Sequence, residues 1–258
     1  MAPGAARGEV APDSVVRVAN GALAFLVLIG VVWFGLASLH LDWSGVWNYR
    51  VMLFKGWLMT LGVTAAALVL SLAAGLALAL AQRAFFLPLR YLARMLVEVV
   101  RCTPLLVLIL LIWYGFGGVF RIGNEYRFLA GIFILTLFEG AYISEIMRGG
   151  IESVGRSQIE SARAIGLTRV QSYRYVIIPQ AIRQTLPALV GQLVSLIKDS
   201  SLLSVIGINE ATQGAQQASS INYDNLETYF ALAVGYLVLT VPLALWSRWL
   251  ERRFKYET

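Results

Sequence analysis

Residues 160–179 read ESARAIGLTRVQSYRYVIIP, a polar, basic stretch between long apolar runs, and its reading decides how the rest of the chain is arranged. A helix-forming run over 158–165 meets Gly166, which can adopt backbone angles that other residues avoid. Further on, Val176, Ile177 and Ile178 precede Pro179, whose missing amide hydrogen is expected to close one element and tilt the next. Ile159, Ala162, Gly166, Val170 and Tyr173 recur at three- and four-residue spacings. One small-residue face is therefore predicted to lie against another protein, leaving Arg163, Arg169 and Arg174 in water. The expectation is two short helices joined at a glycine, a contact surface and not a linker.

Composition sets the surroundings. Hydrophobic residues make up 58% of the chain and charged residues 14%, far from a soluble domain's balance, so this is a membrane protein. The net charge of +6 would suit nucleic acid, but the basic residues sit at the ends of apolar runs. Anionic lipid and membrane topology explain that placement, and no nucleic-acid partner is expected. Cys102 is the one cysteine, which excludes an internal disulfide, and its apolar setting predicts a small buried hydrophobe. The single His40 and the scattered acids offer no metal-ligand cluster.

The apolar runs predict an all-α, polytopic fold of six transmembrane helices, over about 21–39, 56–81, 102–120, 128–147, 184–197 and 228–247. The second run is dense in Ala and Gly, as a closely packed membrane helix requires. Between the second and third, Arg83, Pro88, Arg90 and Arg94 mark a loop with a short interfacial helix. Pro104 fits a helix start. Gly115, Gly117 and Gly118 suit close packing or a helix end. The fifth run is interrupted at Lys198-Asp199-Ser200-Ser201, which predicts a bend or a re-entrant piece before a polar outer region at 209–227. Fifteen basic residues fall on one side of this arrangement and four on the other, so both termini are expected in the cytoplasm. The domains follow: a tail 1–18, an extra helix and outer loop 19–50, a core 51–250 containing the contact segment 156–179, and a tail 251–258.

Several residues are candidates for chemistry within the membrane. Glu139 lies inside the fourth run, where a carboxylate must be paired, neutralised or hydrated. It is either part of a site or a structural partner of Arg101, Lys198 or a base on another subunit. Glu145 and Arg148, three residues apart, read as a structural pair or a network beside a gate. Trp113, Tyr114 and Phe116 either line a path, where ring faces receive cations, or pack against lipid and helices. Lys198 and Asp199 are adjacent charges that can neutralise each other.

The series Glu160-Ser161-Ala162, then Gly166, then Val176-Ile177-Ile178-Pro179 resembles the cytoplasmic signature of the permease subunits of bacterial ATP-binding-cassette importers for polar amino acids. Ser161, Val176 and Ile178 depart conservatively from that pattern and leave its spacing intact. The resemblance extends through Lys55-Gly56, Arg101-Cys102-Thr103-Pro104-Leu105, Ala141-Tyr142 with Glu145 and Arg148-Gly149-Gly150, and Lys198-Asp199-Ser200-Ser201-Leu202, with Cys102 where the family usually has glycine.

The resemblance implies a five-helix core preceded by an extra helix. It also implies coupling to an ATPase through Glu160, Ser161, Ala162, Gly166 and Pro179. The implied partners are two ATP-binding subunits, a second permease subunit, an extracytoplasmic solute-binding protein, membrane lipid and an amino acid cargo. ATP and Mg are expected in the ATPase, since this chain has no glycine-rich phosphate loop and is not read as an enzyme. Glu139 departs from the small or amide residues common there, which suggests a basic amino acid as cargo, contacted by Glu139 and by Arg101, Trp113, Tyr114 or Lys198. The chain is expected in the bacterial inner membrane. A secondary transporter or channel, or a non-transporting scaffold, would explain less of the ordered series of matches.

Overall fold

The computed structural model describes residues 41–254 and, ahead of them, the helical positions 20, 22, 23, 26, 27, 30 and 31. The chain divides into two units, residues 1–43 and 44–258. The expected tail 1–18, most of the expected first span and residues 255–258 lie outside the described residues.

In the second unit every described element is helical. A short α1, Ser44–Asn48, leads into α2, Arg50–Ala81. Next come α3, Leu87–Cys102, and α4, Leu105–Val119, which passes through a π-helical stretch at Leu111–Phe116. A 3-10 turn, Asn124–Tyr126, opens α5, Arg127–Glu152. Then α6, Arg156–Ala164, and α7, Arg169–Ser172, precede α8, Ile178–Asp199, which continues as a 3-10 helix over Ser200–Ile206. The chain closes with α9, Ala211–Asn222, and α10, Asn225–Phe254. Residues 251–254 thus prolong the last helix, although the sequence placed them in a tail.

Four helical runs are long and apolar enough to cross a membrane: Arg50–Ala81, Asn124–Glu152, Arg169–Ile206 and Asn225–Phe254. The bent pair α3 and α4 makes a fifth if it counts as one span. The described residues therefore carry four to five spans, where the sequence predicted six for the whole chain.

The bend in that pair is 108°, and its cause is local. Thr103 precedes a proline and is extended, at φ −101 and ψ 129, because the proline ring excludes the helical region for its neighbour. Pro104 then stands as the N-cap of α4, where its missing donor costs nothing. The arginine-marked loop is consequently a 16-residue helix, longer than expected. Its final turn projects at the bend, so Cys102 is exposed and not buried; its thiol points to Glu98 Oε1 at 3.8 Å.

The core forms where α2, α4, α5 and α8 meet, around Val63, Ala67, Ile109, Leu135, Leu196 and Leu203. The buried stripe of α2 is small throughout, Gly56, Thr60, Val63, Thr64, Ala67, Ser71, Gly75 and Ala79, while Val69 and Leu80 face outward. Such residues let helix backbones approach closely in lipid, where packing and not the hydrophobic effect drives association. At Gly75 a Cβ would stand 2.5 Å from Ile143 Cγ2 and 2.9 Å from Ile143 Cβ. The Cβ of Ile143 is fixed to its backbone and cannot rotate away. Gly75→Val is therefore expected to cost roughly 1–3 kcal/mol by overpacking, read as a lower thermal midpoint in detergent. Gly62→Val at an open position serves as control, and equal midpoints would contradict this packing. By contrast Gly117 and Gly118 meet no side chain; they serve the end of α4 and not a close crossing.

Candidate functional site

The stretch 156–179 folds as two short helices around Gly166, which has φ +83. The end of α6 is closed by two reverse bonds, Gly166 N–H to Arg163 O at 2.9 Å and Leu167 N–H to Ala162 O at 3.1 Å, the pairing that a left-handed glycine permits. Thr168 then starts α7: its hydroxyl accepts from Gln171 N–H at 3.3 Å, and its own amide donates to Gln171 Oε1 at 2.9 Å. This capping box satisfies donors that the first helical turn leaves free.

Two expectations for this stretch are corrected. The predicted single small-residue face is split, because the turn at Gly166 breaks the helical phase. Ala162 is 3% exposed and Ile159 packs on a small cluster of Val154, Ile177 and Ala181, whereas Val170 and Ile165 are each 76% exposed. Ala162 therefore packs within its own chain; Glu160, Ser161, Gly166 and Pro179 are on the exposed side. Pro179, moreover, closes nothing. It lies in the first turn of α8, which follows directly from a π-helical turn over Tyr173–Ile177, and the wider turn relieves the proline's clash with the preceding carbonyls. The segment is also tied to the end of α2, where Arg83 Nη2 donates to Tyr173 Oη at 3.2 Å.

At this same end of the bundle, charges form a chain along α5. Arg148 donates to both oxygens of Glu145, at 3.0 and 2.7 Å, and to Glu152 Oε2 at 2.6 Å. From α3, Arg101 reaches Glu145 Oε2 at 3.4 Å and lies over the Tyr142 ring at 5.4 Å. The bidentate geometry fixes the angle between the two groups. All four charged groups remain partly exposed, so these bonds orient the helix ends more than they stabilise the fold.

Glu139 is elsewhere and is fully enclosed, at 0% exposure. Its Oε2 accepts from Gln192 Nε2 at 2.6 Å, tying α5 to α8, and Oε1 has no hydrogen-bond partner among the described residues. Asp199 of α8 also faces it; of the bases expected beside it within the chain, Arg101 pairs with Glu145 and Lys198 is exposed. Trp113 is buried with the Arg127 guanidinium 6.0 Å from its ring centre, and Tyr114 donates to Val205 O at 3.2 Å. Trp113 and Phe116 line a cavity of about 680 Å³ with Phe120, Tyr126 and Phe133. Arg101 therefore lies with the α5 charges, and Trp113 and Tyr114 lie with Arg127 and Val205.

A different carboxylate organises the opposite end, and sequence reasoning missed it. The polar region 209–227 holds α9, and Glu210 caps it, accepting from Thr212 N–H at 2.9 Å and Gln213 N–H at 2.8 Å. Thr60 of α2 donates to Glu210 Oε2 at 3.4 Å and accepts from Ala211 N–H at 3.0 Å. Tyr236 of α10 donates to the same oxygen at 3.3 Å. Glu210 is 0% exposed, and its bonds join three helices. The available signal was Ala211, Ala215 and Ala218 at helical spacing, all buried here.

Comparison with known proteins supports the same architecture. Residues 71–256 match the family described as "Binding-protein-dependent transport system inner membrane component". The glutamine transport system permease protein GlnP of Escherichia coli K12 is 36% identical over 217 residues, covering 84% of this chain and 99% of GlnP. The octopine transport system permease protein OccM of Rhizobium radiobacter is 36% identical over 227 residues, covering 82% and 92%. A crystal structure of an amino acid ABC transporter with histidines superposes with a TM-score of 0.77 at 36% identity, covering 83% of this chain and 100% of that one. The chain belongs to the binding-protein-dependent transport system inner membrane components: it is the multi-pass, non-catalytic permease subunit of an ABC-type importer.

Proposed function

We propose that this chain forms half of the path of an ATP-driven importer of polar amino acids. In this reading 156–179 seats in a groove of a partner ATPase, through Glu160, Ser161, Gly166 and the exposed Ile165 and Val170. The observation that carries it is the glycine-closed pair of short helices, projecting apolar side chains that an isolated chain has no reason to expose to water. The assembly comprises two permease subunits, two ATP-binding subunits that hold ATP and Mg²⁺, and an extracytoplasmic solute-binding protein. Both termini face the cytoplasm, as the arginine distribution favours, and the core begins near residue 51 after the extra first helix. Relatives of equal identity are named for glutamine and for octopine, so overall similarity does not choose the cargo.

ATPase stimulation in the reconstituted complex with its binding protein, measured across the common amino acids, tests the reading. Stimulation by none of them would remove it. A basic cargo is the sharper form and rests on Glu139, a carboxylate enclosed between α5 and α8 with the Asp199 carboxyl beside it. Glu139→Gln is then expected to lower the preference for arginine over glutamine about tenfold, the worth of roughly 1.4 kcal/mol. An unchanged preference would return Glu139 to a purely structural role.

A further inference from the structure

The ionic chain of α5 borders a cleft of about 360 Å³ lined by Gln82, Arg94, Val97, Glu98, Glu145 and Arg148, within the size range of small-molecule sites. Gln82 forms a fixed wall, 3% exposed, with its amide donating to Ser144 Oγ at 3.2 Å. The charges around the cleft fall into two sets. Arg101, Glu145, Arg148 and Glu152 satisfy one another. Arg94 and Glu98 do not: neither has an ion-pair partner among the described residues, and the one hydrogen bond at Glu98 comes from the Cys102 thiol.

Arg94 and Glu98 stand one turn apart on α3, about 6 Å along its axis. No ion pair joins them among the described residues, and arginine precedes the acid, the less favourable order for an i,i+4 pair. The cleft therefore presents an available cation beside an available anion. A simple anion would meet Glu98 and Glu145, and a simple cation would meet Arg94 and Arg148. A ligand bearing both charges finds a complement for each, and single-charge competitors are disfavoured.

We propose that this cleft is a release site for the zwitterionic head group of the cargo, with Arg94 receiving the α-carboxylate and Glu98 the α-ammonium. It rests on the importer reading above and adds a location and a chemical class to it. Because only the head group is read, the site accepts α-amino acids whatever their side chain.

The test uses the whole complex in proteoliposomes, with ATP and the ATPases in the lumen and the binding protein outside. The common L-amino acids are first screened for uptake. Uptake of none would defeat the importer reading itself, and this one with it. Whichever is taken up is then added unlabelled to the lumen, alongside its α-amide and its N-acetyl derivative. The free amino acid is expected to slow uptake, while the two derivatives, each lacking one charge, do not. Arg94→Gln and Glu98→Gln are each expected to raise the half-inhibitory lumenal concentration at least about tenfold, or about 1.4 kcal/mol, without lowering the thermal midpoint of the complex. If a single variant fails to assemble, the exchange Arg94→Glu with Glu98→Arg keeps one charge of each sign at the cleft, in reversed places, and is expected to retain inhibition.

Absence of lumenal inhibition in the wild type, derivatives as potent as the parent, or variant curves superimposed on the wild type would each overturn the proposal. So would shifts confined to vesicles containing phosphatidylglycerol and absent from pure phosphatidylcholine. That result would assign the cleft to a lipid head group.

Discussion

Gly166→Val is expected to cut ATP-driven uptake at least about tenfold while leaving the chain inserted and associated with its ATPases. The effect is purely one of backbone. No atom lies within 4 Å of the position a Cβ would take, so added bulk meets nothing. At φ +83, however, an L residue is strained by roughly 1–2 kcal/mol, and a β-branched one by more. The turn relieves that strain by leaving the left-handed region, which breaks the Gly166 and Leu167 bonds that close α6 and redirects α7. Gly166→Asn provides the control, since asparagine tolerates the left-handed conformation, and uptake is expected to remain close to wild type. Uptake is compared with ATP hydrolysis in the same vesicles. If valine and asparagine behave alike, the turn is not what transmits the motion. Ala162 is a poor probe of the same idea: at 3% exposure, a charge there breaks the segment's own packing before it can reach a partner.

The second large effect is expected at Glu210. Removing this carboxylate in Glu210→Ala takes away the cap of α9 and leaves the Thr60 and Tyr236 hydroxyls facing a buried space without their acceptor. A lost N-cap costs about 0.5–2 kcal/mol and a buried unsatisfied donor about 1–3, so destabilisation of roughly 2–4 kcal/mol is expected. Glu210→Gln retains one carbonyl oxygen for the two backbone amides and should fall between the wild type and the alanine variant. Tyr236→Phe removes a single donor and should cost about 1 kcal/mol. Thermal unfolding of the purified chain in detergent orders these variants. An alanine variant as stable as Tyr236→Phe would mean that the carboxylate does not join the three helices.

Gly166 and Glu210 also mark the limits of what can be read from the chain. The turn at Gly166 is legible because its causes are adjacent in sequence: a helix-forming run, a glycine, and a threonine that caps the next helix. The break at Thr103-Pro104 is legible for the same reason, although the length of α3 is not, since its apolar positions alternate with arginines that resemble a loop. Glu210 draws its meaning from Thr60, 150 residues away, and Tyr236, 26 residues away, and nothing local foretells those contacts. Cys102 departs from expectation because apolar neighbours in sequence do not ensure burial at a bend. The split face of 156–179 shows the same limit, because helical spacing predicts a common side only while the helix continues. For Glu139 the residue type is informative and the partner is not: a carboxylate in an apolar run points to a base, and Gln192 is neutral.

The π turn at Tyr173–Ile177 has a mechanical consequence. Because it carries the chain from α7 into α8 without a stop, the helical run extends over 38 residues, Arg169–Ile206, about 57 Å at 1.5 Å per residue. The hydrocarbon layer is about 30 Å thick, so the run is a rod nearly twice as long as the barrier it crosses. Pro187 removes one backbone bond within it. The run ends at Gly207, at φ +76, where the backbone leaves the right-handed helical region. Arg127 donates to the Gly207 carbonyl at 3.2 Å, so the turn that ends this long run is tied to the opening of α5.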